Sequence, residues 1–217
     1  ADLNKHAVRP TKSLGILYDG RDELSILAKE LAETCPPFKG VTDMEKTTLP
    51  NRSTKIFTLS GIYQASEALL GKKRGAPITE KERKLSTDFW SELALIIPEW
   101  RLIEKKEISP IELRQGYIHA HSVTLHAFGI FGRTLTAKHP TSWKSKLKKL
   151  SSVDWSRSCT SIWEGRAMSG GQMSKSRHNV QRTAIFLKQL AGLQLTPEEE
   201  KTELNSSFSL SEKGAFE

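Results

Sequence analysis

Between Thr141 and Lys188 the chain carries ten cations, Lys144, Lys146, Lys148, Lys149, Arg157, Arg166, Lys175, Arg177, Arg182 and Lys188, against only Asp154 and Glu164. That surplus of eight equals the net charge of +8 of all 217 residues, so the rest of the chain is balanced. A one-sided field of this kind draws polyanions. Inside it, Gly170-Gly171 leads into a helix signal at Ser174, with Lys175 and Arg177 beside it. A glycine turn at a helix start offers free backbone N–H donors next to cations, which is what phosphate oxygens need. The expected nucleic-acid contacts are therefore Lys144, Lys148, Lys149, Arg157, Arg166, Lys175, Arg177 and Arg182.

Each of these residues also has a plainer reading. The Lys144 to Lys149 run fits a solvated helix face equally well. Trp155 and Trp163, interleaved with the arginines, can stack on bases, yet large aromatics are mostly buried. The favoured expectation is that both anchor a loop in the core, with Glu164 pairing Arg166. Arg177 with Thr183, or Lys175 with Arg182, are expected to share a solvent-facing stripe on a helix that buries Val180, Ala184 and Leu187. The P-loop spacing G-x-x-x-x-G-K-[ST] is missing, so ATP binding has no support.

His119, His121 and His126 are the metal suspects. On one continuous helix the outer two stand about 10 Å apart along the axis, and His119 and His121 point to different faces. No H-E-x-x-H pattern supplies further ligands. No metal and no cofactor is expected, and the histidines are read as structural or interface residues. A hydrolytic or nicking site made of His119, His121 and Asp154 is the enzyme alternative, but no paired carboxylates accompany it, so the chain is read as a non-enzyme.

The elements that must position these residues are mostly helical. Leu24, Leu27, Ala28 and Leu31 give a helix over Asp22 to Glu33, and a second runs from about Leu59 to Leu70 with Gly71 as its carboxyl-terminal cap. Thr79-Glu-Lys-Glu82 and Ser109-Pro-Ile-Glu112 are capping boxes. The first starts a helix that Pro98 kinks or ends. The second starts the longest helix, expected over Pro110 to Lys138 with Gly116, Gly129 and Gly132 inside it at close helix contacts. A short basic helix spans Trp143 to Leu150, Ser174 caps one reaching about Ala191, and Thr196-Pro-Glu-Glu199 starts the last. Lys12 to Tyr18 and Gly40 to Thr48 carry weak strand signals. After Asn205 the chain is Ser-rich and expected to fray.

Composition adds bounds. An apolar content of 37% supports an ordinary core without staples. No segment nears the roughly 20 apolar residues of a membrane span, and residues 1–6 show no hydrophobic signal segment. Cys35 and Cys159 suit a reducing compartment better than a disulfide framework. The expected location is cytoplasmic.

Three segments, Trp155-Ser-Arg-Ser, Trp163-Glu-Gly-Arg-Ala-Met168 and Ser174-Lys-Ser-Arg-His-Asn179, together resemble the carboxyl-terminal part of the DndB family of DNA phosphorothioate modification regulators, which carry a DGQHR domain. The likeness extends to residues 1–15, to Lys55-Ile-Phe-Thr-Leu-Ser60 and to His119-Ala-His121, and runs to about Leu195. It implies a bacterial, DNA-binding transcription regulator, a repressor of the genes for sulfur modification of DNA, acting beside the modification enzymes. Its implied partners are duplex DNA in the promoter region of its own gene cluster and those enzymes; self-association stays open. An accessory or scaffolding role in the modification complex is the second alternative. The Asp-Gly-Gln-His-Arg motif itself is absent, and Asp19-Gly20-Arg21-Asp22 does not replace it. The chain is accordingly expected to be a piece of a longer protein. Residues 1–75 then continue a DGQHR-type domain, 76–195 form the helical DNA-binding domain, and 196–217 form a short helix and tail. The expected fold is mainly α, a helical domain around one long helix, with a small mixed α/β portion at the amino-terminal end.

Overall fold

Capping chemistry starts most of the helices. In the computed structural model, which describes residues 10–204, the side chain of Thr11 accepts the N–H of Leu14 and opens α1 (Lys12–Tyr18). Asp22 does the same for α2 (Glu23–Thr34), and Thr58 for α3 (Leu59–Leu70), which Gly71 ends at a φ of 64°. The Thr79 and Glu82 capping box starts α4 (Glu80–Ile96), and Pro98 opens α5 (Pro98–Glu104). The second box, Ser109 with Glu112, starts α6 (Pro110–Gly116). There follow α7 (Ser122–Lys138), α8 (Trp143–Leu147) with a 3-10 turn over Lys148–Ser152, and α9 (Thr160–Trp163). Ser176 caps α10 (Arg177–Leu190), and a further helix covers 197–204, the end of the described residues. Thr196 and Glu199 cap that helix reciprocally. Among the described residues, sheet is confined to two short pairs: β1 (Thr42–Asp43) runs parallel to β2 (Phe57–Thr58), and β3 (Met168–Ser169) forms a hairpin with β4 (Gln172–Met173). The fold is mainly α, as the sequence implies.

Four expectations need correction. Lys12 to Tyr18 is α1 rather than a strand; it buries Ser13 and Ile16, one helical step apart. Of Gly40 to Thr48, only Thr42–Asp43 is strand. The helix start lies at Ser176 instead of Ser174, whose hydroxyl donates to Asn179 Oδ1. The long helix is broken: α6 and α7 are separated by an extended Tyr117, a 3-10 turn over Ile118–Ala120 and an extended His121. Residues 116–118 leave the helix because they pair with the segment around Trp155. Ile118 N–H donates to Trp155 O at 3.0 Å and Arg157 N–H to Gly116 O at 2.8 Å.

The central packing is α3 against α7, with α10 on the other side of α7. Two glycines permit the first contact. A Cβ on Gly129 would lie 2.3 Å from Ala65 O, and one on Gly132 would lie 2.6 Å from Leu69 Cδ1 of α3 and 2.5 Å from the Phe89 ring of α4. The expected close helix contacts are thus found at these two positions, whereas Gly116 ends α6 with open space around it. Around this pair the core is strongly aromatic, joining Phe38, Phe89, Trp90, Trp100, Phe128 and Trp163. It continues unbroken across residue 75, since α3 supplies one wall and α7 the other.

Candidate nucleic-acid interface

Asn179 fastens the β3–β4 hairpin to α10. Its amide nitrogen donates to the carbonyls of Arg166 and Met168, and its Oδ1 accepts from Ser174 and Ser176. All four of the hydrogen bonds an Asn side chain can make are thereby used. The hairpin turn is Gly170-Gly171, at φ 59° and 72°, the left-handed pair that a two-residue hairpin of this type demands. Its two N–H groups donate to the carboxylate of Glu164. The turn therefore does form an anion nest, but an internal carboxylate fills it. Glu164 is held there instead of pairing Arg166.

Trp155 and Trp163 are core residues, as favoured from the sequence. They stack at 5.4 Å between ring centroids, and Trp163 Nε1 donates to Asp154 O at 2.8 Å. Arg157, on the loop between them, is half-buried. Arg157 makes only long contacts, to Gln115 O at 3.5 Å and Gly171 O at 3.4 Å, and no carboxylate meets it among the described residues. Arg177, in the first turn of α10, is exposed. Lys175 is exposed as a residue; its ammonium donates to Gln64 Oε1 at 2.6 Å, and partial desolvation followed by repulsion from Lys12 lowers its proton affinity.

Two of the expected contacts face inward. Arg182 is 5% exposed and donates to Gly165 O at 2.6 Å. The chain at Gly165 folds over that side of α10, and Gly165 has both a φ of 73° and no room for a Cβ, which would stand 2.7 Å from the guanidinium. Arg166 bridges to Glu203 at 2.8 Å and lies over the ring of Phe186. The anticipated solvent-facing stripe is therefore absent: Thr183 and Arg182 are both buried, Thr183 because it shares the Val180, Ala184 and Leu187 face.

The lysine run sits at the far end of α10. Lys149 approaches Gly192, just past that helix, whereas Arg177 begins it. At 1.5 Å per residue the two ends are separated by about 20 Å. Lys148 and Lys149 are exposed; Lys144 is paired with Glu92 at 2.5 Å, and Lys188 with Glu199 at 2.5 Å. What looks like one cluster in the sequence is two cationic patches at opposite ends of α10, with Lys144 and Lys188 neutralised by Glu92 and Glu199.

The histidines separate too. His119 is fully buried between Tyr117, Trp100 and Trp155, with Nε2 at 3.3 Å from Glu99. His121 Nε2 contacts Arg114 O at 2.8 Å, and burial pushes its pKa down to about 4. His126 stands apart near Lys175 and Lys12. Among the described residues no group of three or more His, Cys, Asp and Glu side chains is placed to hold a metal ion, and both cysteines are free.

Residues 1–194 match the family DndB, described as DNA-sulfur modification-associated. The chain belongs to the DndB family. No curated protein and no solved structure matches it. Within the matched DndB region, Trp163, Arg166 and Asn179 serve architecture by tying the loop 154–174 to α10, and Trp155 does so by stacking on Trp163 and packing against Phe128 of α7. Among the described residues no helix is long and apolar enough to cross a membrane. Two basic residues outside the charge-rich stretch join the picture. Arg114 and Lys12 come next to His121 and Lys175 only because the chain breaks at Tyr117 and because α1 is a helix. Neither carries a sequence signal of its own.

Proposed function

We propose that this DndB-family chain binds duplex DNA as part of a transcription regulator, a repressor acting at the promoter region of its own sulfur-modification genes. Family membership supports a role in DNA sulfur modification. The observation that carries the DNA reading is the pair of cationic patches at the two ends of α10, half-buried Arg157 with exposed Lys175 and Arg177 at one end and exposed Lys148 with Lys149 at the other. None of the five has a carboxylate partner among the described residues. Cations left unpaired at a spacing of about 20 Å suit phosphates some six base pairs apart on a duplex that rises 3.4 Å per pair. Arg166, Arg182, Lys144 and Lys188 are assigned to structure instead.

The nicking alternative is less well supported, because His119 is shut away beneath three aromatic rings and Asp154 Oδ1 is engaged by Ser156 N–H. Anisotropy titrations of a promoter duplex, an unrelated duplex and an RNA hairpin test the reading. Duplex binding should be preferred over RNA and fall steeply as salt rises. Equal affinity for RNA, or a salt-independent isotherm, would count against it.

A further inference from the structure

A cavity of about 420 Å³ lies between the loop at Thr47–Leu49, the first turn of α3, the first turn of α7 and the exit from β4 at Ser174. That volume suits a small ligand. Its lining contains Arg114 and Lys175 and no Asp or Glu. Arg114 is fixed by neutral carbonyls, Nη1 donating to Pro50 O at 2.7 Å and Nη2 to Leu49 O at 3.4 Å. Lys175 is fixed by the neutral Gln64 amide. Burial lowers the pKa of both, and Lys12 adds repulsion at Lys175. Two partly desolvated cations on one cavity, held by neutral acceptors, leave it short of negative charge.

The remaining walls fit the same ligand. The ring of His121 turns to Arg114 O and leaves the start of α7 without a side-chain cap, so the helix opens on the cavity at Ser122 and Val123 with its own N–H donors. Ile56, Phe57, Leu125 and Met173 supply an apolar side, and the cavity is larger than one tetrahedral oxyanion requires. We propose that this cavity binds a small phosphomonoester of mononucleotide size, its phosphate held by Arg114 and Lys175 and its organic part resting on the apolar side. The site shares Lys175 with the patch at the start of α10, but Arg114 and the rest of its lining lie outside that patch, and it does not depend on the patch binding DNA. A free nucleotide and the 5′-phosphate end of a nucleic acid strand offer the same chemistry.

Calorimetric titrations at constant ionic strength test it, with inorganic phosphate, adenosine monophosphate and adenosine as probes. Phosphate and the monophosphate should bind saturably, the monophosphate more tightly, and adenosine should not. Arg114→Met should weaken the monophosphate by about tenfold or more, the loss expected for a charge-assisted contact. Because Arg114 also props the Leu49–Pro50 loop, Lys175→Gln is measured beside it and should weaken binding by a similar factor. Arg157→Ala with Arg177→Ala should leave monophosphate affinity unchanged, so this site and the DNA reading can fail separately. Displacement of the monophosphate by a 5′-phosphorylated oligonucleotide but not by its unphosphorylated form would assign the site to strand ends; displacement by neither would assign it to free nucleotides. No saturable binding of either anion, or wild-type affinity in both Lys175→Gln and Arg114→Met, would overturn the proposal.

Discussion

Arg177 and Arg182 stand five positions apart on one helix and meet opposite environments. Arg177 faces water, whereas Arg182 is covered by the chain at Gly165 and binds its carbonyl. Arg182→Ala should destabilise the fold by roughly 1–3 kcal/mol, because Gly165 O loses its partner in a half-buried place. Urea denaturation measures this, and DNA affinity in the folded variant should be unchanged. Formal charge was legible at both positions, but the covering loop was not, since nothing local announces which side of α10 it crosses. His121 provides a second residue-scale test. Its pKa is depressed from an ordinary 6.5 to about 4, chiefly by burial, so the unfolded chain binds the proton first on acidification. Its contribution is present above pH 6.5 and is lost as pH falls toward 4, by up to about 3 kcal/mol. His119 and His126 shift in the same direction through burial. Denaturation midpoints should fall over this window and fall less in His121→Gln; a flat profile would contradict the assignment.

At the scale of elements, α3 and α7 depend on glycine to approach each other. Gly129→Ala places a Cβ 2.3 Å from Ala65 O, a backbone atom that moves only with its helix. The variant should lose about 1–3 kcal/mol, the usual cost of overpacking. Thermal melts check this, and an unchanged melting temperature would mean the helices can part without penalty. Both capping boxes, the Gly71 cap, α2, α3 and the Pro98 boundary were legible because each rests on neighbours within four residues. The break at Tyr117 was not. Pro110 to Lys138 has helical periodicity throughout, and only pairing with Trp155 and Arg157, some forty positions away, pulls residues 116–118 out of it. For α1 the weak alternation of Lys12 to Tyr18 misled, since Thr11 supplies a cap and the buried residues lie three apart.

In the whole molecule, the charge-rich stretch separates into two patches because α10 runs between them as a rod. The sequence showed how much positive charge there is and roughly where. It could not show that Glu92, Glu199 and Glu203 come from elsewhere to neutralise Lys144, Lys188 and Arg166. Nor could it bring Arg114 and Lys175 to one cavity, which depends on the break before α7. Duplex binding through the ends of α10 is tested most directly by the salt dependence of affinity in a double variant, Arg157→Ala with Arg177→Ala. Each lost phosphate contact removes about 0.9 from the slope of log affinity against log salt, so the double variant should flatten it by about 1.8 while melting like the wild type. A folded double variant with the wild-type affinity and slope would contradict the assignment of this face to DNA.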